Sequence, residues 1–499
     1  MTSMLVDPLH YPLSEEGARY LASATFGHVI EGKVVPSISG ETFAVHDPAT
    51  GLQVARAAAG GPEDVDAAVA SARRAFDDGR WRFLAPLEQE RRLRRLSALL
   101  TEHAALLTDL DVLDGGVLKM YSRFLVQFAV DATDYYAGWP TKIAGTIPRV
   151  PRDVAVYATR EPLGVCAVIV PWNAPSAIVV GVVMALACGN SVVLKPAEQT
   201  PMTAVLLGQL CVEAGIPPGV LNVVQGTGES AGAALATHPG VDKISFTGSA
   251  ETGRIIQAAA APTLKRVTLE LGGKSPFIVF ADAEVEPAAM GAMYSVWGGS
   301  GQVCTAGSRL LVQRPLHDAF IDAVVGASKD LTIGPGFDPS SQLGPLISEA
   351  QLERVQRYVA LGVAEGAQLV LGGSRHGDIG WFHEPTVFTG VRNEMTIAQE
   401  EIFGPVMSVI PFDTEEEAYE IANAVEFGLA AGVWTTDLAR AHRASRALHA
   451  GTVWVNTYQE VNPTVSYGGV KQSGYGRTLG EESIGEFTTV KSTWMKVSR

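Results

Sequence analysis

One cysteine and one carboxylate stand in segments whose composition suits chemistry better than packing. Cys304 lies in Trp-Gly-Gly-Ser-Gly-Gln-Val-Cys-Thr-Ala-Gly-Ser-Arg, where small and polar residues would fill a core poorly. Glu270 lies upstream in Leu-Glu-Leu-Gly-Gly-Lys-Ser-Pro. A thiol with an ordinary pKa of about 8.5 is mostly protonated at neutral pH, so a nucleophilic cysteine needs a base or a positive charge nearby. The two segments therefore predict a thiol nucleophile and its base.

Asn173, in a Pro-Trp-Asn sequence after an apolar run, is the third candidate catalytic residue. When a thiolate attacks a carbonyl carbon, the resulting oxyanion needs fixed donors, and one donor typically lowers the barrier by ~3 kcal/mol. The Asn173 amide and the Cys304 backbone N–H can both serve. Loss of hydride to a nicotinamide would leave a thioester, which water activated by Glu270 would hydrolyse. Taken alone, Asn173 would more often be a turn residue, and Glu270 a capping or salt-bridge carboxylate.

The elements that must position these residues alternate between strand and helix from Leu163 onward. Near-continuous apolar strands separated by helices predict a parallel α/β sheet covered on both faces. Ligands of such sheets bind at the carboxyl ends of the strands, which is where the candidate polar residues fall. Strands are predicted over 163–170, 191–195, 220–224, 242–246 and 265–270, and helices over 176–188, 201–214, 228–237 and 249–260.

The segments before this alternation carry shorter patterns. Residues 1–25 show no periodicity and are predicted to form a loosely ordered arm. Turn residues then separate two short strands, and apolar residues at helical spacing mark three helices. The strands are predicted over 26–35 and 42–46, and the helices over 62–79, over 87–107, and through Phe124 and Phe128 to about Gly138.

Two further segments extend the architecture. A second α/β segment, which contains the cysteine, is predicted from about Ser275 to Glu482. Residues 142–159 read as an extended excursion, whose edge could pair with another subunit. A flap over its own domain is an equal alternative from the pattern alone. The tail 484–497 contains enough Phe, Thr and Val for a final strand.

Length, charge and cysteine usage bound the class of protein. With 499 residues the chain is too long for one compact core, which predicts two or three domains. Its net charge of -15 argues against nucleic acid or an anionic membrane as the main partner. No apolar run reaches membrane-spanning length and no secretory signal is evident, so a cytoplasmic location is expected. Cys166, Cys188 and Cys211 lie in apolar runs without metal-ligand spacing, so neither a metal site nor a disulfide framework is expected.

The sequence motifs that indicate a dinucleotide-binding site are incomplete. The fingerprint G-x-G-x-x-G is missing after the first strand of the alternation, and the segment around Gly228 is only a loose variant. The stretch Phe246-Thr247-Gly248-Ser249 enters a predicted helix, whose N-terminus suits a pyrophosphate. Lys195 and Glu198 follow a strand and can contact an adenosine ribose. A carboxylate there repels a 2′-phosphate and favours NAD over NADP, although Lys195 offsets part of this preference.

Several motifs, in order, make the chain resemble the acid-forming, NAD(P)-dependent aldehyde dehydrogenase superfamily from about Phe26 to Val497. The resemblance implies an α/β fold with a Rossmann-like cofactor domain (1–141 and 161–272) and a catalytic domain (273–482). A small β oligomerisation element (142–160 and 483–499) would make the protein a homodimer or homotetramer. The motifs are Pro171-Trp172-Asn173, Lys195-Pro196-Ala197-Glu198, Phe246-Thr247-Gly248-Ser249, Glu270-Leu271-Gly272-Gly273-Lys274-Ser275-Pro276, Gly301-Gln302-Val303-Cys304 and Glu401-Ile402-Phe403-Gly404-Pro405.

The resemblance also implies roles for individual residues. Oxidation of an aldehyde to its carboxylic acid would use Cys304 as nucleophile, Glu270 as general base and Asn173 in the oxyanion hole. Glu401 and Phe403 would hold the nicotinamide ribose and ring. The adenosine ribose would be bound by Lys195 and Glu198, and the pyrophosphate by Ser249. The remaining residues assigned to the cofactor are Trp172, Gly228, Phe246, Thr247, Gly248, Leu271 and Gly272.

Some positions depart from the family pattern. Thr478 stands where relatives often carry a glutamate thought to help order the hydrolytic water, a departure that bears on the rate of hydrolysis. Small residues stand where relatives line the aldehyde tunnel with aromatic bulk, which predicts room for a bulky, aromatic or branched aldehyde. These small residues are Ala174, Gly181, Gly298 and Val461, and the predicted substrate pocket also includes Val303, Thr305 and Tyr467.

Three other functions fit parts of the pattern. A CoA-acylating dehydrogenase would pass the thioester to CoA, but it typically lacks the base, so Glu270 favours water as acceptor. A cofactor-independent thiol esterase would use Cys304 on activated esters. A binding or structural protein that reuses the fold would have no reason to keep thiol, base and amide together.

Overall fold

The protein is described by a computed structural model over residues 11–23 and 25–497. Its strands form two large sheets, a long two-stranded ribbon and two small pairs. The strands are β1 His28–Ile30, β2 Lys33–Val35, β3 Thr42–His46, β4 Gln53–Ala58, β5 Val154–Pro162, β6 Val165–Ile169, β7 Ser191–Lys195, β8 Leu221–Val223, β9 Lys243–Gly248, β10 Arg266–Leu271, β11 Pro276–Val279, β12 Arg309–Gln313, β13 Gln368–Leu371, β14 Thr386–Thr389, β15 Val406–Phe412, β16 Phe427–Gly428, β17 Ala430–Trp434, β18 Thr452–Val455, β19 Val470–Lys471, β20 Gly474–Tyr475 and β21 Thr488–Lys496. The α-helices are α1 Glu15–Ser23, α2 Pro62–Asp77, α3 Pro86–Glu102, α4 Ala104–Gly115, α5 Lys119–Ala137, α6 Val179–Ala187, α7 Met202–Glu213, α8 Ala233–Thr237, α9 Ala250–Ala260, α10 Val285–Trp297, α11 His317–Ser328, α12 Glu349–Ala364, α13 Thr396–Gln399, α14 Glu415–Asn423, α15 Leu438–Ala447 and α16 Glu482–Glu486.

The first sheet has the strand order β2-β1-β8-β7-β6-β9-β10-β20. Its central strands β8-β7-β6-β9-β10 are parallel. In chain order these are the third, second, first, fourth and fifth strands, so the direction of winding reverses beside β6. Such a reversal opens a crevice outside the carboxyl ends of the strands. The arrangement confirms the predicted α/β class, and every strand predicted for the alternation is present.

Strand β6 shows why this part of the chain forms a sheet covered on both faces. All of its residues are buried. Cys166 and Val168 belong to the core that contains helix α6, whereas Val165, Ala167 and Ile169 pack with residues of α2 and α9. Full burial of one aliphatic side chain contributes roughly 1.5–3 kcal/mol, so a polar substitution on either face of β6 would destabilise the layer that it contacts.

The second sheet has the order β13-β14-β15-β12-β11-β17-β18 and is parallel apart from the edge strand β13. Residues 272–275 connect β10 of the first sheet directly to β11 of the second. The loop that carries Cys304 precedes β12, and the loop that carries Glu401 precedes β15. The carboxyl end of the first sheet and the amino end of the second therefore share the residues of one site.

A nine-residue antiparallel ribbon joins β5 and β21, from the pair Pro162 and Thr488 to the pair Val154 and Lys496. It contains the predicted final strand, and its first strand extends past the predicted boundary at residue 160. Its side chains include Trp494, which is 65% exposed. Apart from one bridge between Thr146 and Ala158, no further strand of the described residues pairs with the ribbon. Contact with another subunit stays a prediction.

One continuous helix was predicted over 87–107, and this prediction is wrong. The chain forms two helices, α3 and α4, which are separated at His103, where the backbone has φ -99° and ψ 18°. Leucines continue at helical spacing through the break, so the apolar pattern alone does not reveal it.

Of the helices in the described ranges, none combines the length and apolarity needed to cross a membrane.

The predicted N-terminal arm is also wrong for residues 15–23, which form helix α1. Ser14 caps this helix, because its Oγ accepts a hydrogen bond from the N–H of Gly17 at 3.0 Å. The same hydroxyl donates to Asp109 on α4 at 2.6 Å, which ties the helix to the body of the protein. The sequence Ser14-Glu15-Glu16 is a capping signal that could have predicted the helix. Residues 1–10 of the predicted arm lie outside the described residues.

Candidate active site

Asn173, Glu270 and Cys304 line one cavity of about 270 Å³ between the two sheets. Asn173 follows the carboxyl end of β6, and Glu270 lies next to the last residue of β10. Cys304 lies in the loop between α10 and β12. The fold therefore brings the three predicted catalytic residues, which are far apart in the chain, into one space.

The sulfur of Cys304 contacts a tyrosine hydroxyl. Its Sγ lies 3.4 Å from Oη of Tyr467. Burial raises the pKa of the Cys304 thiol to about 11, the hydrogen bond with Tyr467 lowers it, and the carboxylates of Glu401 and Glu270 raise it. The thiolate, which is the nucleophilic form, is thus a minor species at neutral pH, and any group that stabilises it affects reactivity.

The carboxylate of Glu270 is buried and has no protein partner. It is 6% exposed, and neither oxygen has a hydrogen-bond partner among the described residues. Burial raises the pKa of this carboxyl well above its ordinary value, and the nearby Arg477 opposes the rise. A carboxylate with a raised pKa accepts a proton more readily than an exposed one, so Glu270 has the properties of a general base.

The amide of Asn173 is fixed by a neighbour of Cys304. Its Nδ2 donates to the carbonyl oxygen of Gln302 at 2.8 Å. Gln302 is anchored in turn, since its Oε1 accepts a hydrogen bond from the N–H of Ile347 at 2.9 Å. An amide nitrogen carries two hydrogens, so one N–H of Asn173 is used to hold the side chain and the other can donate to a ligand.

The walls of the cavity include most of the residues predicted for the substrate pocket. Gly298 is the exception: it does not line the cavity, although an added Cβ there would be 3.7 Å from Gln459 and 4.0 Å from Tyr294, which both do. The predicted residues that line the cavity are Ala174, Gly181, Val303, Thr305, Val461 and Tyr467.

The prediction missed a set of large side chains that also line the cavity. These residues come from α5, from α10 and from the loop after β18. Phe124 and Phe128 were assigned only to a helix, and nothing in a helical pattern tells an aromatic that packs in a core from one that lines a cavity. The missed lining residues are Tyr121, Phe124, Phe128, Tyr294 and Gln459.

The cavity carries little charge. Among the described residues that line it, Glu270 is the only carboxylate, and none is a lysine, an arginine or a histidine. Thr478 also lines the cavity, and its backbone N–H donates to the carbonyl of Tyr467 at 2.8 Å. A bound molecule would therefore meet mostly apolar walls and very few polar groups.

Beside the cavity, Glu401 lies against a glycine turn. Its Oε1 accepts a hydrogen bond from the N–H of Gly273 at 3.0 Å. An added Cβ at Gly272 would be 2.0 Å from Oε2, so only glycine permits this approach. Burial raises the pKa of the Glu401 carboxyl to about 7, and the hydrogen bond from Gly273 opposes the rise. Leu271, which precedes the turn, lines the cavity itself.

Phe403 and Trp172 meet in the same region, with ring centroids 5.3 Å apart and ring planes at 83°. Phe403 has a positive φ of 61°, which is uncommon for a residue with a side chain. Its carbonyl accepts a hydrogen bond from Nε2 of Gln351 at 2.7 Å, which holds the strained turn. The loop is therefore held in a shape that presents Phe403 toward the reversal point of the first sheet.

Lys195 and Glu198, which were predicted to bind the adenosine ribose, lie at the carboxyl end of β7, and Gly228 follows β8. Nζ of Lys195 is 3.7 Å from Oε2 of Glu198, and burial lowers the pKa of this lysine while Glu198 opposes the effect. Gly228 begins a single π-helical turn, Gly228–Gly232, and a Cβ added at Gly232 would be 3.6 Å from the Lys195 side chain.

The entry to helix α9 suits an anion. Ser249 is the N-cap, and its Oγ accepts a hydrogen bond from the N–H of Thr252 at 3.1 Å. The other N–H groups of the first turn have no partner within the helix, and they lie at the positive end of its dipole. Phe246 packs beneath this turn, since a Cβ on Gly248 would be 2.4 Å from its ring. Thr247, between them, lines the cavity.

Three loops meet through their backbones at the site. An added Cβ at Gly273 would be 2.8 Å from the carbonyl oxygen of Cys304. An added Cβ at Gly301 would be 2.1 Å from the carbonyl oxygen of Gly404, and Gly301 has a positive φ of 74°. The loops of Gly273, Cys304 and Gly404 are therefore in direct contact, and two glycines make that contact possible.

This site belongs to a protein with many relatives. Residues 34–493 match the model of the aldehyde dehydrogenase family. Retinal dehydrogenase 2 of Homo sapiens is 44% identical over 465 residues, which cover 92% of this chain and 90% of the relative.

Two solved structures share the fold at similar identity. The NAD+ complex of an aldehyde dehydrogenase from Bacillus cereus has a TM-score of 0.96 and 41% identity, and the match covers 98% of this chain and 100% of that one. A mutant of the indole-3-acetaldehyde dehydrogenase AldA from P. syringae, in complex with NAD+ and IAA, has a TM-score of 0.93 and 42% identity, with 96% and 99% covered. This chain therefore belongs to the aldehyde dehydrogenase family and is an oxidoreductase.

Proposed function

We propose that the protein oxidises an aldehyde to the carboxylic acid with NAD, through a covalent intermediate on Cys304. The observation that carries the proposal is the meeting of three groups on one cavity. These are the thiol of Cys304, the fixed amide of Asn173 and the carboxylate of Glu270, which has no hydrogen-bond partner among the described residues.

In the first step the Cys304 thiolate forms a bond to the aldehyde carbon, and the π electrons of the carbonyl move onto its oxygen. The free N–H of Asn173 and the backbone N–H of Cys304 stabilise this oxyanion in a thiohemiacetal. One such donor is typically worth about 3 kcal/mol in the barrier, because it is already oriented before the charge develops.

Bound NAD supplies the acceptor for the hydride that the substrate carbon loses. The acyl group then remains on Cys304 as a thioester. Glu270 takes a proton from a water molecule whose oxygen attacks the acyl carbon. The carbon–sulfur bond breaks, the acid leaves and the sulfur departs as thiolate. The unpartnered oxygens of Glu270 support water, rather than CoA, as the acceptor.

The residues near the reversal of the first sheet fit a dinucleotide. The turn at Gly272 allows a close approach to Glu401 that any side chain would fill, and Phe403 stands beside Trp172. Glu401 and Phe403 would hold the nicotinamide ribose and ring. The N-terminus of α9 at Ser249 would face the pyrophosphate, and Lys195 with Glu198 the adenosine ribose. The carboxylate of Glu198 supports NAD over NADP.

The cavity supports a bulky, uncharged aldehyde as substrate. Its walls combine small residues such as Ala174 and Gly181 with the rings of Tyr121, Phe128 and Tyr294. None of its lining residues, within the part of the chain that the structure describes, is a cation that would pair with an acidic substrate. Relatives named for retinal and for indole-3-acetaldehyde, both large apolar molecules, agree with this assignment.

Removal of the thiol tests the proposed chemistry. Cys304→Ala should abolish NADH formation from aldehyde and leave the Kd for NAD, measured by calorimetry, nearly unchanged. Cys211→Ala is the matched control, because this thiol is buried in α7 away from the cavity, and it should keep full activity. Normal oxidation by Cys304→Ala would refute the proposal. Ester hydrolysis by the wild type without NADH formation from any aldehyde would favour a thiol esterase, and acyl-CoA formation a CoA-acylating enzyme.

An aldehyde panel tests the substrate class. The wild type should have a higher kcat/KM for benzaldehyde than for acetaldehyde, because a ring can contact the apolar walls. Ala174→Phe would fill part of the cavity and should lower kcat/KM for benzaldehyde by about ten- to hundredfold, the range for one altered apolar contact, with a smaller loss for acetaldehyde. A clear preference of the wild type for acetaldehyde would contradict the assignment.

A further inference from the structure

Tyr467 is placed at the reacting sulfur, although its predicted role was only to line the pocket. Within the described residues its hydroxyl is the only side-chain hydrogen-bond partner of the Cys304 sulfur, at 3.4 Å. Its backbone is held in place, since the N–H of Tyr467 donates to the carbonyl of Thr478 at 2.7 Å and its carbonyl accepts from Thr478 at 2.8 Å. The segment that carries the ring is therefore held in place before any substrate arrives.

The hydroxyl keeps its proton under all ordinary conditions. Burial raises the pKa of Tyr467 well above its ordinary value, and the charges of Cys304 and Glu270 raise it further. When the sulfur of Cys304 is ionised it can only accept a hydrogen bond, so the tyrosine O–H must be the donor. A hydrogen bond to the charged form of a group favours that form.

The thiol needs such a donor. Among the described residues that line the cavity of Cys304, none is a lysine, an arginine or a histidine, and the two charges that act on its pKa, Glu401 and Glu270, are both negative. Burial and these carboxylates disfavour the thiolate. The hydroxyl of Tyr467 acts in the opposite direction, and the backbone N–H of Thr305 does so to a smaller extent.

We propose that Tyr467 is a catalytic residue that donates its O–H to the Cys304 thiolate and so increases the fraction of nucleophile. The proposal rests on the proposed role of Cys304 as nucleophile. No proton leaves the tyrosine in this step. As the carbon–sulfur bond forms, negative charge moves from the sulfur to the carbonyl oxygen, so the hydrogen bond acts on the free thiolate more than on the adduct.

Tyr467→Phe removes the hydroxyl and keeps the ring, and the rate of Cys304 alkylation by iodoacetamide against pH measures the effect. A hydrogen bond to a charged group typically corresponds to a pKa shift of about one to two units. A thiolate of higher pKa is also more nucleophilic, which recovers about half of the loss on a logarithmic scale. Alkylation between pH 7 and 9 should therefore slow by about three- to tenfold, and the pH midpoint should move upward.

Two controls separate this role from a structural one. Tyr136→Phe removes a buried hydroxyl that bonds Ser483 outside the cavity, and it should leave the alkylation profile unchanged. Tyr467→Phe should have the same melting temperature as the wild type. An alkylation rate in Tyr467→Phe equal to or above that of the wild type would overturn the proposal. That result would leave the proposed function intact as long as Cys304→Ala still abolishes oxidation, whereas an active Cys304→Ala enzyme would overturn both.

Discussion

Two carboxylates act on the sulfur of Cys304, and their surroundings differ. Glu270 projects from strand β10 into the cavity, and neither of its oxygens has a protein partner among the described residues. Glu401 lies in the loop before β15 and accepts a hydrogen bond from the backbone of Gly273. Burial raises the pKa of both carboxyls, but a backbone donor opposes the rise only at Glu401.

The difference suits Glu270 to the proposed role of proton acceptor and Glu401 to the proposed role of binding a ligand. A carboxylate without donors gains most from protonation, which suits the proposed base Glu270. A carboxylate that a backbone N–H holds in one orientation presents its second oxygen at a fixed place, which suits a ribose hydroxyl at Glu401. The same substitution, glutamate to glutamine, should therefore have different consequences at the two positions.

Glu270→Gln should have the larger effect. The steady-state rate should fall by about 10²- to 10⁴-fold, the usual contribution of a general base, because the amide cannot take a proton from water. The first turnover should still release NADH in a rapid burst, since hydride leaves before hydrolysis. Stopped-flow absorbance of NADH measures both phases. Loss of the burst together with the steady-state rate would contradict a role confined to hydrolysis.

The pH profile sharpens this prediction. The active form of the base is the carboxylate, and burial raises the pKa of Glu270, so wild-type turnover should rise with pH through that raised pKa. Glu270→Gln should lack this rise. The folded state should also survive the change, because the glutamine no longer requires burial of a charge without a partner.

Glu401→Gln should have the smaller effect and a different signature. Glutamine can still accept the N–H of Gly273, but a neutral oxygen binds a ribose hydroxyl more weakly than a carboxylate. KM for NAD should rise by about tenfold, which corresponds to roughly 1.4 kcal/mol, with the burst and steady-state rates affected equally. Steady-state and burst kinetics at varied NAD measure this. A slow steady state after a normal burst would show that Glu401 also serves hydrolysis.

The fold could be predicted well wherever apolar runs were continuous. Strands such as β6 and β7 are buried on both faces, so their sequences carry a signal that does not depend on partners. The prediction was wrong where two elements share one pattern, as at His103, or where a short polar cap carries the signal, as at Ser14. The strand order, and hence the reversal beside β6, depends on packing between distant segments.

The sequence predicted which residues form the candidate site, but it predicted only part of the shape of the cavity. Motifs identified Cys304, Glu270 and Asn173, and the structure brings them to one cavity. The aromatic wall from α5 was missed because a helix that lines a cavity has the same periodicity as one in a core. The contact between Tyr467 and the sulfur joins positions 163 residues apart, and no local pattern reports such a distance.

The contact of the Gly273, Cys304 and Gly404 loops has a consequence for how such an enzyme can diversify. Main-chain contacts, rather than side chains, set the spacing between these three loops. Side chains on α5, α6 and the loop after β18 can then change without altering that spacing. Substitutions in the cavity walls could therefore admit other aldehydes, while the backbone geometry around Cys304 stays the same.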